Sequence, residues 1–145
     1  MAEFSTSIDI DAPPDIVFEH LVVPERMVTW MGERAELNPV ANGGFAVDIK
    51  GVPFRGEYLA VEPPHRLVVS WGIAGSNEFP PGSSQVEFTL AETSTGTTLR
   101  LVHTGVPDSH AAGHASGWRH YLGRLGHAAA GVDPGVDTFV GPRSQ

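Results

Sequence analysis

His103 is the residue of this chain best placed to do chemistry. It follows Leu99 and Leu101 in alternation with Thr98, Arg100 and Val102, so on a strand its imidazole shares their inward face. A buried imidazole there can serve as a general base or as a polar handle for a ligand. It can equally be a core residue that holds a backbone carbonyl or a carboxylate. His114 is the second candidate, and His110 lies one turn before it. A spacing of four places both on one helix face, a geometry that can bind a metal. Residues 111–113 are Ala-Ala-Gly, so the glutamate of a His-Glu-x-x-His site is absent, and neither a metal nor another cofactor is expected. His20, His65, His120 and His127 read as surface or turn residues. Trp30, Trp71 and Trp118 can wall a pocket or simply fill a core, since aromatic rings dominate both. Alternation points Asp48 outward and leaves Glu57 unassigned. No Ser-His-Asp order, paired carboxylates or phosphate loop accompanies these residues; Gly43-Gly44 is a turn with no parallel strand–helix unit after it.

The elements that must position these side chains can be read in order. Ile8 and Ile10 alternate with Asp9 and Asp11, as on a half-buried strand. Pro14 suits the first position of a helix, with Asp15 in its first turn and Val17, Phe18 and Leu21 on one face. Pro24 stops that helix and opens a second short one ending near Trp30. Short strands follow: Glu33–Leu37, then Phe45, Val47 and Ile49 on one face, then 54–61. In 54–61 both faces carry apolar groups, and a bulge near Gly56 would reconcile Tyr58 with Leu59. Leu67, Val69 and Trp71 share a face. The stretch 74–84 is rich in Gly, Pro and Ser and reads as a loop. Val86, Phe88 and Leu90 pair across the turn 93–96 with Leu99, Leu101 and His103, so the sheet is antiparallel with one face covered. At 100° per residue, Ala111, Ala115, Trp118, Leu122, Leu125 and Ala129 form one stripe of a long helix from about Ser109 to Ala130 that supplies the cover. His114 sits at the edge of that stripe, and Arg119, His120, Arg124 and His127 lie outside it. Residues 1–130 therefore read as one domain. Residues 131–145 return to Gly, Pro and Asp and read as a tail, tacked down by Phe139 and Val140 or frayed.

Composition narrows the function classes. The chain has 145 residues, 41% hydrophobic and 18% charged, with a formal net charge of −8. That charge argues against nucleic acid or an anionic membrane as a partner. There is no cysteine, which excludes disulfide and thiol chemistry. The opening Met-Ala-Glu-Phe-Ser has neither a basic n-region nor an apolar h-region, and no apolar run approaches the ~20 residues of a membrane span. A cytoplasmic protein is the expectation.

The same residues carry a resemblance. They are Ala12-Pro13-Pro14 with Val17-Phe18, Pro24-Glu25 leading to Trp30, Gly43-Gly44-Phe45, Gly56-Glu57-Tyr58, and Glu62-Pro63-Pro64 with Arg66-Leu67-Val68. Trp71, Gly96-Thr97, Leu101-Val102-His103 and Gly117-Trp118, then Leu122 and Leu125, complete the set. In this order, over roughly residues 5–130, the chain resembles the α+β helix-grip fold of the START-like (SRPBCC) superfamily. More finely, it is similar to the family related to the C-terminal domain of the Hsp90 ATPase activator Aha1. The resemblance implies a curved antiparallel sheet wrapped around a long C-terminal helix, with two short helices after the first strand. It also implies a cavity between sheet and helix for a small hydrophobic or aromatic molecule. Trp30, Phe45, Val47, Trp71, Phe88, Leu101, His103, His114, Trp118 and Leu122 are the residues expected around it. A cavity of roughly 300 Å³ or more would suit a ligand, and a collapsed one an interaction or structural role. The alternatives are a cyclase- or hydrolase-like enzyme with His103 as base, and a chaperone-interacting domain with a role in stress response. The outer sheet face or the 74–84 loop could pair two copies as a homodimer.

Overall fold

The chain opens on strand β1 (Ala2–Ile10), followed by helix α1 (Pro14–Val22) and the single turn α2 (Pro24–Met27). Both helices begin on proline, whose fixed φ is preorganised for a first helical residue. Val17, Phe18 and Leu21 bury one face of α1. An isolated turn such as α2 has no stability of its own. It is held through buried Met27 and through Trp30, whose indole N–H donates to the His20 carbonyl at 2.8 Å. His20 itself is buried, its Nδ1 2.9 Å from the Ile16 carbonyl. This corrects its reading as a surface residue: the backbone of its own helix satisfies the ring. The computed structural model describes residues 2–139.

Six strands follow: β2 (Arg34–Leu37), β3 (Gly44–Ile49), β4 (Val52–Glu62), β5 (Arg66–Ile73), β6 (Ser84–Glu92) and β7 (Thr97–Val106), and then the helix α3 (Asp108–Ala129). They form one antiparallel sheet in the order β1-β7-β6-β5-β4-β3-β2, so the first strand closes onto the last and every other neighbour is a hairpin partner. The alternation read from sequence holds in β3, β6 and β7. Phe45, Val47 and Ile49, then Val86, Phe88 and Leu90, then Leu99, Leu101 and His103 are all buried. In β4 the register shifts between Tyr58 and Ala60. The bulge therefore falls at Leu59, which is 45% exposed while Tyr58 is sealed, and not near Gly56. Gly56 has another purpose: a Cβ there would stand 1.9 Å from the Ser70 carbonyl, so only glycine lets β4 and β5 approach so closely.

Helix α3 crosses the inner face of the curved sheet. Trp118, Leu122, Leu125 and Ala129 are buried as the stripe required. Nearer its start the buried side carries His110, whereas Ala111 and Ala115 are only half covered. The loop 74–83 is not merely connecting chain. Phe79 within it is fully buried and packs on His110 and His114, with ring centroids 5.2 and 5.1 Å apart. Beyond α3, residues 131–139 fold back beside the helix, and Phe139 packs on the His120 and Tyr121 rings. Val140 lies outside the described residues. Among the described residues no helix is long and apolar enough to cross a membrane.

Candidate functional site

Between α3 and the β3–β5 end of the sheet lies a cleft of about 180 Å³. Its helix wall is His110, Gly113, His114, Gly117, Trp118 and Tyr121; its sheet wall is Ile49, Val52, Phe54, Trp71 and Ile73; Met31, Lys50 and Phe139 stand around the remainder. The aromatic rings form one contiguous wall. Phe54 lies on Trp71 at 4.9 Å and 28°, and Trp71 meets Trp118 at 5.3 Å. Gly117 keeps the space open, because a Cβ built there meets nothing within 4 Å. The sheet supplies one wall through the inward parity of β5, and the helix supplies the other through its four-residue spacing.

Of the residues expected around a ligand, Trp71, His114 and Trp118 line the cleft. Trp30, Phe45, Val47, Phe88, Leu101 and Leu122 belong to the solid core around it. His103 stands behind the wall, with no exposed surface. Both its nitrogens are engaged: the Trp118 indole donates to Nδ1 at 3.0 Å, and Nε2 lies 2.9 Å from the Ser84 hydroxyl. That hydroxyl spends its one proton on the Trp71 carbonyl at 2.7 Å. His103 Nε2 must therefore be the donor, and the ring is the neutral Nε2–H tautomer. A second proton, on Nδ1, would face the indole N–H directly. Burial, with His114 close by, accordingly pushes the His103 pKa down to about 3.

His114 has the opposite tautomer. The Trp71 indole N–H donates to its Nε2 at 3.3 Å, so Nδ1–H is left to donate to the His110 carbonyl at 3.3 Å. Burial lowers its pKa; the carbonyl bond raises it and neighbouring His110 lowers it, and the result is about 4. Two neutral imidazoles thus tie together both tryptophans that wall the cleft, joining β5, β6, β7 and α3. The arrangement can hold aromatic surfaces in fixed orientation, and it offers a polar contact through His110. It gives His103 no free lone pair with which to take a proton from a bound molecule. Glu78 reaches His110 Nε2 at 3.8 Å from the loop side and accepts a hydrogen bond from Ser109.

At the far end of the cleft Tyr121 donates to Asp137 at 2.6 Å, and His120 Nε2 donates to the same carboxylate at 2.8 Å. Burial alone would raise the Asp137 carboxyl. Hydrogen bonds from Tyr121, the Phe139 amide and His120, with the Lys50 charge, hold it below its ordinary value. Phe54, Phe79, Tyr121, Phe139 and Asp137 were not among the sequence candidates. Asp48 points outward as expected, paired with Arg55 at 2.8 Å, and Glu57 is exposed. Among the described residues no group of three or more His, Asp or Glu side chains is arranged to hold a metal ion. On the outer sheet face a broad, open groove of about 600 Å³ is lined by polar groups including Arg55, Glu57, Ser70 and Gln85.

Comparison with known proteins agrees with this architecture. An AHSA1-like protein of Rhizobium etli, solved by NMR, is 46% identical, with 98% of this chain and 90% of that one covered and a TM-score of 0.76. A crystal structure from Mesorhizobium loti is 26% identical, with 88% of this chain and 96% of that one covered and a TM-score of 0.79. A structure described as the Aha1 dimer of Colwellia psychrerythraea has a TM-score of 0.79 at 15% identity, covering 90% and 97% of the two chains, and shows the shared fold. An uncharacterized protein of Schizosaccharomyces pombe is 26% identical over 107 residues, 73% of this chain, and the aligned stretch spans 30% of that protein's length. The model of the family described as activator of Hsp90 ATPase homolog 1-like protein matches residues 11–130, and the chain belongs to that family, with the helix-grip fold of the START-like superfamily.

Proposed function

We propose that the chain binds a small, uncharged, largely planar aromatic or apolar molecule in the cleft beneath α3. The observation that carries this reading is the contiguous Phe54–Trp71–Trp118 wall facing an open space that Gly117 leaves unfilled. Ligand sites are typically apolar concavities with a few placed polar groups, and here His110 is such a group, while His114 is bonded on both nitrogens and fixes the wall. At about 180 Å³ the space falls short of the roughly 300 Å³ expected of a ligand site without being collapsed, which limits a ligand to about one or two fused rings. Burial holds the His114 ring neutral, so it adds no positive charge for a carboxylate to pair with. A cyclase- or hydrolase-like activity would have to use His110, because both nitrogens of His103 and of His114 are already engaged. A chaperone partner is supported by the family description, and a homodimer by the fold it shares with the Colwellia protein.

Titration with 2-naphthol tests the reading, with tryptophan emission and melting temperature as readouts. Saturable quenching with a rise in Tm is expected, because a ligand that binds only the folded state stabilises it. Gly117→Leu should fill the space and abolish both responses while the protein stays folded. Binding that is unchanged in Gly117→Leu would sink the reading, as would the lack of any saturable response in the wild type.

A further inference from the structure

We propose that residues 133–139 form a strap that gates the cleft and that the Asp137 carboxylate latches it shut. The proposal rests on the reading of the cleft as a ligand site and concerns its regulation. After α3 the chain reverses at Gly131, which takes φ +83°, a conformation that favours glycine. It then runs back along the helix. The Val132 amide donates to the His127 carbonyl at 2.8 Å, and Arg124 donates to the Gly135 carbonyl at 3.1 Å. At Asp137 the strap reaches both walls of the cleft at once. Its carboxylate takes the Tyr121 hydroxyl and His120 from the helix side. Its carbonyl takes Lys50 Nζ, at 3.0 Å, from the end of β3. Phe139 follows, its amide donating to the Asp137 carboxylate at 2.9 Å and its ring forming part of the cleft wall.

The attachment is polar where the rest of the fold is held by burial. Val136 is 87% exposed and Phe139 is only partly buried against the core, so the strap gains less from the hydrophobic effect than the body of the fold does. A segment with few buried apolar contacts and a handful of side-chain hydrogen bonds, those of Asp137 only partly buried, opens more cheaply than a sheet does. Release of Asp137 frees the strap from helix and sheet together, carries Phe139 off the His120 and Tyr121 rings, and widens the mouth of the cleft that Trp71 and Trp118 line. The gate thus works by exchanging one clustered set of hydrogen bonds for water, with no change in the helix-grip body.

The test uses the full chain and three variants: Asp137→Ala, Tyr121→Phe and the double variant. Without any ligand, acrylamide quenching of tryptophan emission should rise about twofold or more in Asp137→Ala and less in Tyr121→Phe, with no further rise in the double variant, and the Phe139 amide should exchange about ten times faster. Trp30, sealed at 0% exposure, gives the constant background. Quenching and exchange that match the wild type overturn the strap. Stopped-flow mixing with 2-naphthol should show association and dissociation both about fivefold or more faster in Asp137→Ala. Rates equal to wild type overturn the gate and leave the ligand reading standing. Should wild type fail to bind 2-naphthol, the ligand reading falls, and quenching and exchange alone decide the strap.

Discussion

Replacing His103 with glutamine should flatten the acid limb of the stability curve. In the folded protein the ring is neutral and its pKa is pushed down to about 3 from the ordinary 6.5. The unfolded chain therefore binds a proton between those values that the folded chain refuses. Stability from this site is complete above the unfolded value, declines as pH falls below it, and stops declining only near the folded value. Each pH unit inside the window is worth about 1.4 kcal/mol, so lowering the pH from about 7 to about 5 removes about 2 kcal/mol through His103. His114, pushed down to about 4, adds a similar loss, for a total of about 4 kcal/mol against the roughly 5–15 that a domain possesses. A glutamine amide can accept from Trp118 and donate to Ser84 but cannot titrate. Urea unfolding followed by tryptophan emission should show the wild type losing about 2 kcal/mol more than His103→Gln between those two pH values. Carboxylate contributions are the same in both proteins and cancel. Parallel pH dependences would refute the assignment of a buried neutral imidazole, whatever the variant costs at neutral pH.

Phe79→Ala should destabilise by about 3–5 kcal/mol despite the residue's place in a loop, because a fully buried ring is removed; thermal unfolding measures it, and a loss under about 1 kcal/mol would mean the loop is not anchored there. Gly123→Ala should stabilise by about 0.5–1 kcal/mol, since a Cβ at that helical position meets nothing within 4 Å. Ser84→Ala should cost about 1–3 kcal/mol by leaving the His103 Nε2–H buried without an acceptor; denaturant unfolding that shows no change would mean that Ser84 is not the buried partner of that ring.

The architecture was legible because it rests on periodicity. Phe45, Val47 and Ile49 could face the core together only on a strand, and Trp118, Leu122, Leu125 and Ala129 only on a helix. The inward placement of His103 came from the same parity. Its partners did not: Ser84 and Trp118 meet it through the sheet register and the seat of α3, which no local pattern encodes. The first turns of α3 misled for a related reason. A hydrophobic stripe ranks Ala111 and Ala115 as core, yet His110 and His114 go inward there. Glu78, Trp71 and Phe79 offer those rings partners, and an alanine offers the sheet little to pack against. Phe79 escaped because one anchor in a Gly-, Pro- and Ser-rich loop has no period; a lone large aromatic in such a segment was the only signal. Phe139 reads from sequence as an anchor for the tail, but its place at the cleft and the role of Asp137 escaped, because contacts with Lys50, His120 and Tyr121 depend on where the tail crosses the finished fold.

Tyr58 tests whether that fold tolerates an uncompensated polar atom. Its side chain has 0% exposure, with its ring edge against Phe45 at 5.7 Å. Among the described residues its hydroxyl is the buried side-chain atom that lacks a hydrogen-bond partner, and burial raises its pKa. The neighbouring position is the bulge at Leu59, where the β4 register shifts. A hydroxyl taken out of water with nothing to replace its bonds costs about 1–3 kcal/mol, whereas phenylalanine keeps the ring and its contacts. Tyr58→Phe should therefore raise stability by about 1 kcal/mol, or leave it unchanged if a small void forms. Urea unfolding at neutral pH measures the difference. A loss of more than about 1 kcal/mol would show that the hydroxyl is bonded, and the interior around β4 would then have to be polar where it reads as dry.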